Sequence, residues 1–212
     1  MTKNKANDRP RQFYEYGAYQ SQSATLDIWG VNARLTPRSA KLELSCIDLI
    51  SDWTYYETHE VELKENQATE LLSLPCPAPP NLPATGFPEW TTTNTVVVNT
   101  RLVDTATGEV IARYVDWPQP YRYLDLPDPE LKITIDKAEG IVTVQAKNPA
   151  KGVILSVDEE GDNPVKWGDN GLDLFPGDTQ TFAVSGLNGR KVKVAWLGNE
   201  KATAIQTNLP FS

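Results

Sequence analysis

Carboxylates at close spacing are the residues here most able to do chemistry, and the densest set is Asp158, Glu160 and Asp162, followed by Asp169. Counted from Asp158 they take the first, third, fifth and twelfth places of a calcium-binding loop, where hard oxygen ligands surround the ion. The other places do not fit. Asn163 stands where the sharp turn needs glycine, Lys166 fills the ninth place, and strand-like sequence rather than a helix precedes the run. The stretch reads as an acidic hairpin tip, polar because loops face water, and no metal is assigned to it. Cys46 and Cys76 have no Cys or His partner at zinc-ligand spacing, and two cysteines make no disulfide framework. Cys46 shares an alternating face with Leu42 and Leu44 and reads as a small buried hydrophobe. Cys76 lies between prolines. His59 is the sole histidine, which leaves triads and histidine metal sites little to work with. Phosphate-binding loops, G-x-G-x-x-G and the nucleophile elbow G-x-S-x-G are absent. The expectation is no catalytic group, no metal and no cofactor.

The tryptophans offer a different chemistry, the stacking of an indole on the apolar face of a pyranose. Trp53, Trp90 and Trp117 each stand beside loop-like sequence and are the candidates for carbohydrate contact. Trp29, Trp167 and Trp196 fall in strand-like runs, where core packing is expected.

The elements that would position these residues follow a period of two. Leu26 and Ile28 alternate with Asp27 and Trp29, and Leu42, Leu44 and Cys46 with Lys41, Glu43 and Ser45. Further strand-like runs cover 54–61, 68–74, 95–103 and 110–115. Prolines crowd residues 75–90, which excludes a central strand and predicts an extended surface loop. Its P-x-x-P spacing has no basic flank to support a polyproline ligand. A second proline cluster (Pro118, Pro120, Pro127, Pro129) marks a boundary. Beyond it alternation resumes at 131–135, 142–146, 153–157 and 192–196, with a further strand-like run at 179–184. Residues 165–178, V-K-W-G-D-N-G-L-D-L-F-P-G-D, read as one short strand clamped between two tight turns. The fold class expected is all-β, two tandem immunoglobulin-like antiparallel β-sandwiches. The boundaries are a lead-in over 1–23, a first sandwich over 24–120, a proline-rich linker over 121–130 and a second sandwich over 131–212.

The chain has 212 residues, enough for two small cores. Lys plus Arg number 20 against 28 Asp plus Glu, a net charge of −8. That balance repels a phosphate backbone, so nucleic acid is not an expected partner. No apolar run approaches a membrane span, and residues 1–11 are polar where a secretory leader needs an apolar core, which predicts either a cytoplasmic protein or a start that is not the biological one.

Residues 165–178 also resemble a D-N-x-x-D-L-x-P-G-D/E segment of the last immunoglobulin-like domain of β-mannosidases in glycoside hydrolase family two. L-D-I-W-G-V-N at 26–32, W-P-Q-P-Y-R-Y at 117–123 and G-R-K-V-K-V-A-W-L-G at 189–198 look like the intracellular fungal members, in the same order. The resemblance implies a C-terminal, non-catalytic part of an enzyme that removes terminal β-linked mannose from oligosaccharides. Its implied partners are the catalytic barrel of the parent and a mannose-containing oligosaccharide. Residues 1–23 would then lead in from the barrel. Family members place one catalytic carboxylate after an asparagine, a dipeptide met here at Asn199-Glu200. It follows one strand-like run and precedes another without any β/α alternation, so it is assigned to a turn and carries no such role, and the barrel glutamates have no counterpart. A different class of function, an independent carbohydrate-binding or adhesion module, shares the same fold expectation.

Overall fold

The structure, a computed structural model, describes residues 25–80, 95–118, 121, 124–158 and 164–204. The expected lead-in, the proline loop beyond residue 80 and residues 159–163 of the acidic tip lie outside the described residues. Fourteen strands and two compact units, divided between Asp125 and Leu126, make up what is described.

In the first unit β1 (Thr25–Asn32) pairs with β4 (Gln67–Pro75), and β3 (Thr54–Leu63), β2 (Arg38–Asp48), β5 (Val96–Asp104) and β6 (Val110–Asp116) form a second antiparallel sheet in that order. The alternation read from the sequence explains the packing. Leu44, Cys46, Val96 and Val98 point to one side of the larger sheet and meet Leu26, Ile28, Leu72 and Leu74 of the smaller one. Cys46 is buried as expected, and burial pushes its thiol up to about 12. Gly30 leaves room for the ends of Leu63 and Leu71, which a Cβ there would have to displace.

The second unit layers β10 (Lys166–Trp167), β12 (Thr179–Ser185), β8 (Ile141–Gln145) and β7 (Lys132–Asp136) against β11 (Leu172–Leu174), β9 (Ala150–Val157), β13 (Val192–Trp196) and β14 (Asn199–Ala204). Val142 and Val144 from one sheet and Val153, Leu155, Leu174 and Val194 from the other close a single core, with Trp167 and Trp196 packed against it as expected. Two of the strands, β10 and β14, are absent from the list of alternating runs, since two residues show no period and residues 199–204 carry little apolar patterning. Pro129, assigned from sequence to the linker, is fully buried, and its carbonyl accepts the Lys147 N–H at 2.9 Å; it therefore belongs to this unit.

The 165–178 stretch behaves as its turns demand. The Asp178 N–H reaches the Phe175 carbonyl at 3.0 Å across Pro176 and Gly177, whose φ of 82° is the left-handed conformation that the third place of a type II turn needs. Between the two turns, Asn170 and Asp173 bind the neighbouring strand. Asn170 Oδ1 accepts the Leu155 N–H at 2.8 Å and its Nδ2 donates to the Leu155 carbonyl at 2.9 Å. Asp173 accepts the Gly152 N–H at 2.8 Å and the Lys151 ammonium at 3.0 Å. Gln180 on the opposite sheet donates to the Asp173 carbonyl at 2.9 Å, tying the layers together.

Asn32 does the corresponding work in the first unit. Buried at 6% exposure, it donates to the Thr36 and Leu63 carbonyls at 2.9 and 3.3 Å and accepts the Arg34 N–H at 3.0 Å. Asn32→Ala leaves buried backbone groups without partners and is expected to cost about 2–3 kcal/mol in urea unfolding. Asn170→Ala, which removes a more exposed side chain from the Leu155 backbone, is expected to cost about 1 kcal/mol. Equal midpoints for parent and Asn32→Ala would remove this side chain from the account of the fold.

Candidate carbohydrate-contact site

Trp53 closes the short loop that carries β2 into β3. Its carbonyl accepts the Asp48 N–H at 3.1 Å, and its N–H donates to Ser51 Oγ, which in turn donates to the Asp48 carboxylate at 2.5 Å. Thr95 donates to the other Asp48 oxygen. The loop is thus locked around one buried carboxylate. The Trp53 ring stacks on Tyr55 with centroids 6.3 Å apart and planes at 14°, and both rings pack on the core cluster. This is the offset spacing of two residues on one strand face.

The same face of β3 continues through Glu57 and His59. The Tyr55 hydroxyl donates to Glu57 Oε2 at 2.5 Å, and His59 Nε2 stands 3.0 Å from Oε1. Tyr55 is pushed up to about 12 by the hydrogen bond it would forfeit, and Glu57 is held below its ordinary value by Tyr55 first and His59 after it. Both carboxylate oxygens are engaged within the strand. The row is an aromatic and polar ladder that steadies an edge strand.

Trp117 lies elsewhere. It is 4% exposed, and its neighbour two residues back, Val115, is buried as well. A pyranose needs an open ring face, so Trp117 is withdrawn as a contact residue: the β6 alternation runs on through Asp116 and carries the indole inward. Trp90 lies outside the described residues. Trp29 is corrected in the other direction. Read as a core residue, it is 58% exposed. The alternation that sends Leu26 and Ile28 inward puts Asp27 and Trp29 outward, and this was the signal to follow. A β-bulge between Ile28 and Trp29 leaves that outward facing in place.

Among the described residues, the carboxyl groups displaced from their ordinary values serve strands and turns. Burial pushes Glu43 up, but hydrogen bonds from Lys41 (2.7 Å) and Arg101 (2.5 Å) together outweigh it and hold the group below its ordinary value. Asp104 accepts Arg38 Nε at 2.7 Å and the Ala106 and Thr107 N–H groups at 2.9 Å, and is drawn down to about 2, Arg38 being the main cause. A glycosidic general acid requires a raised carboxyl. Among the described residues, the displaced ones, Glu43, Glu57 and Asp104, all go down. No group of three or more His, Cys, Asp or Glu there could hold a metal, and Asp158 is engaged with the Lys191 backbone. Asn199 and Glu200 open β14 and do not form the turn expected of them; Leu197 and Gly198 make that turn.

Two tandem antiparallel sandwiches whose polar groups support strands define a pair of immunoglobulin-like domains, and comparison with known proteins places them. Residues 24–123 match the mannosidase Ig/CBM-like domain family, and residues 126–198 match an Ig-fold domain family. β-Mannosidase B of Thermothelomyces thermophilus is 32% identical over 179 residues, covering 82% of this chain and 20% of the relative. β-Mannosidase B of Aspergillus niger is 31% identical over 187 residues, covering 85% and 20%. The crystal structure of β-D-mannosidase from Dictyoglomus thermophilum superposes on 87% of this chain and 21% of its own with a TM-score of 0.62 at 14% identity, a likeness of fold. The chain is thus similar to β-mannosidases through two domain matches in order, the likeness that its four sequence segments indicated. It spans about a fifth of the length of the curated relatives it matches.

The lowered carboxyls make acid behaviour predictable. A group whose folded pKa lies below its unfolded one adds stability that is present above the unfolded value and lost as pH falls through the folded one. For Asp104 that window runs from its ordinary 3.8 to about 2. Acid titration followed by circular dichroism is expected to show unfolding across this range, and in Asp104→Asn, which retains an acceptor for the turn, a loss of that pH dependence. An unchanged titration would show that the Arg38 pair contributes nothing.

Proposed function

We propose that this chain is the non-catalytic immunoglobulin-like region of a β-mannosidase, packed beside the catalytic barrel of the parent and helping to shape or stabilise it. The parent removes terminal β-linked mannose residues from oligosaccharides. The observation that carries the reading is the tandem match of both units, in order, to the two mannosidase-associated domain families. It is supported by the share of the relatives that this chain spans, about a fifth, whereas a (β/α)₈ barrel alone takes about 250 residues. The use of displaced carboxyls as strand supports agrees with it, since retaining hydrolysis needs two carboxyls about 5–5.5 Å apart across one glycosidic bond.

The purified chain is expected to give no turnover of a nitrophenyl β-mannoside above background, even at high protein concentration, because loss of the catalytic carboxyls costs orders of magnitude in rate. Turnover that co-purifies with the chain and disappears in Glu200→Gln or Glu160→Gln would make it an enzyme in its own right. Sequencing the transcript upstream of the Met1 codon separates the accessory region from an independent module: a continuous frame encoding a barrel is expected, and a stop codon directly before Met1 would refute it.

A further inference from the structure

The motif L-D-I-W-G-V-N has a structural task for most of its members. Leu26 and Ile28 enter the core, Gly30 makes room for Leu63 and Leu71, and Asn32 binds the following turn. Trp29 and Val31 have no such task; they stand on the outer face of the β1–β4 sheet at 58% and 77% exposure. Around them the face is polar and pre-set. Asp27 precedes Trp29 by one strand repeat, and its two oxygens accept Ser73 Oγ at 2.6 Å and Thr25 Oγ1 at 3.3 Å. Glu70 is the direct cross-strand neighbour of Trp29.

We infer that the outer face of β1–β4, centred on Trp29, is a carbohydrate-binding site that takes a neutral, β-linked pyranose oligosaccharide. A pyranose presents a C–H face bordered by hydroxyls. Trp29 offers the flat apolar surface, Val31 extends it along the strand, and the carboxylates of Asp27 and Glu70 accept hydroxyl donors at its border. Asp27 is already oriented by Ser73 and Thr25, so less ordering accompanies binding. Size decides against a protein occupant. Two strands about 4.8 Å apart and eight residues long at about 3.4 Å per residue give a face of roughly 270 Å², against about 800 Å² per partner in a standard protein interface. Two acidic groups beside the indole also disfavour an anionic ligand and leave a polyol acceptable. The face rests on the β-mannosidase reading for its choice of mannose and of the β-linkage.

The full chain, titrated with β-linked mannotriose and with cellotriose and followed by tryptophan fluorescence and two-dimensional amide NMR, tests this. Saturable binding with a Kd on the order of 1 mM is expected, with shifts confined to 25–32 and 67–75. Trp29→Ala, at an exposed position and checked for an unchanged melting curve, should weaken it by at least about tenfold through loss of the buried indole face. Trp29→Phe should restore part of it, and Trp53→Ala should leave it intact. Absence of saturable binding by either sugar, or binding unchanged in folded Trp29→Ala, overturns the site. Trp29-dependent self-association in sedimentation without a sugar response overturns it too and gives the face to protein contact. Trp29-dependent binding of cellotriose alone keeps the site and counts against a mannosidase parent.

Discussion

A short strand in a small sandwich cannot satisfy its neighbour's backbone along the whole length, and in this chain the deficit is met by side-chain amides. Leu172 pairs with Val153 in the β11–β9 ladder, so the next pairing outward would set residue 170 opposite Leu155. There the Asn170 side chain takes both the Leu155 N–H and its carbonyl, reproducing with one residue what a strand neighbour would supply. β11 is only three residues long, and without this extension the β9 edge next to the core would lose its partner. Asp173 then fixes Gly152 and Lys151, and the Asp173 carbonyl receives Gln180 from the other sheet. The motif that first marks the chain as mannosidase-like is thus a fastening for the second core.

The same economy governs charge. Glu43, Asp48, Asp104 and Asp173 are each half-buried or buried, and each is bound to hydroxyls, backbone amides or cations from adjoining strands and turns. Glu43 and Asp104 are drawn below their ordinary values by these partners, which suits strand cross-linking and is the reverse of what proton donation to a leaving group asks for.

Period-two alternation was sufficient to place most strands and the two cores, because inward residues of both sandwiches are Val, Leu and Ile at strict spacing. Pairing order was beyond it: nothing local in residues 38–48 says that 96–104 will lie alongside. Two tryptophans show where local sequence runs out. The prolines after Trp117 point to a loop, although Val115 and Trp117 share one buried face; strand membership points Trp29 to a core, although its own neighbours Leu26 and Ile28 claim the inner face. Strand membership says little about which side a residue faces, and parity says it directly. Trp53 was legible as a loop residue, while its stacking on Tyr55 depended on a ring two residues along the same strand face.

The pairing of β2 with β5 joins residues far apart in the chain, as in the Glu43–Arg101 contact separated by 58 positions. The second unit is wired more locally, with β7 and β8 forming a hairpin between Asp136 and Ile141 and Thr143 meeting Thr181 at a separation of 38. Loop closure entropy grows with separation and slows non-local pairing. During synthesis the apolar face of β2 must wait for more than fifty further residues before its second neighbour exists, so the first unit, although made earlier, is the slower to close and the one whose unpaired edge stays longest in reach of other chains.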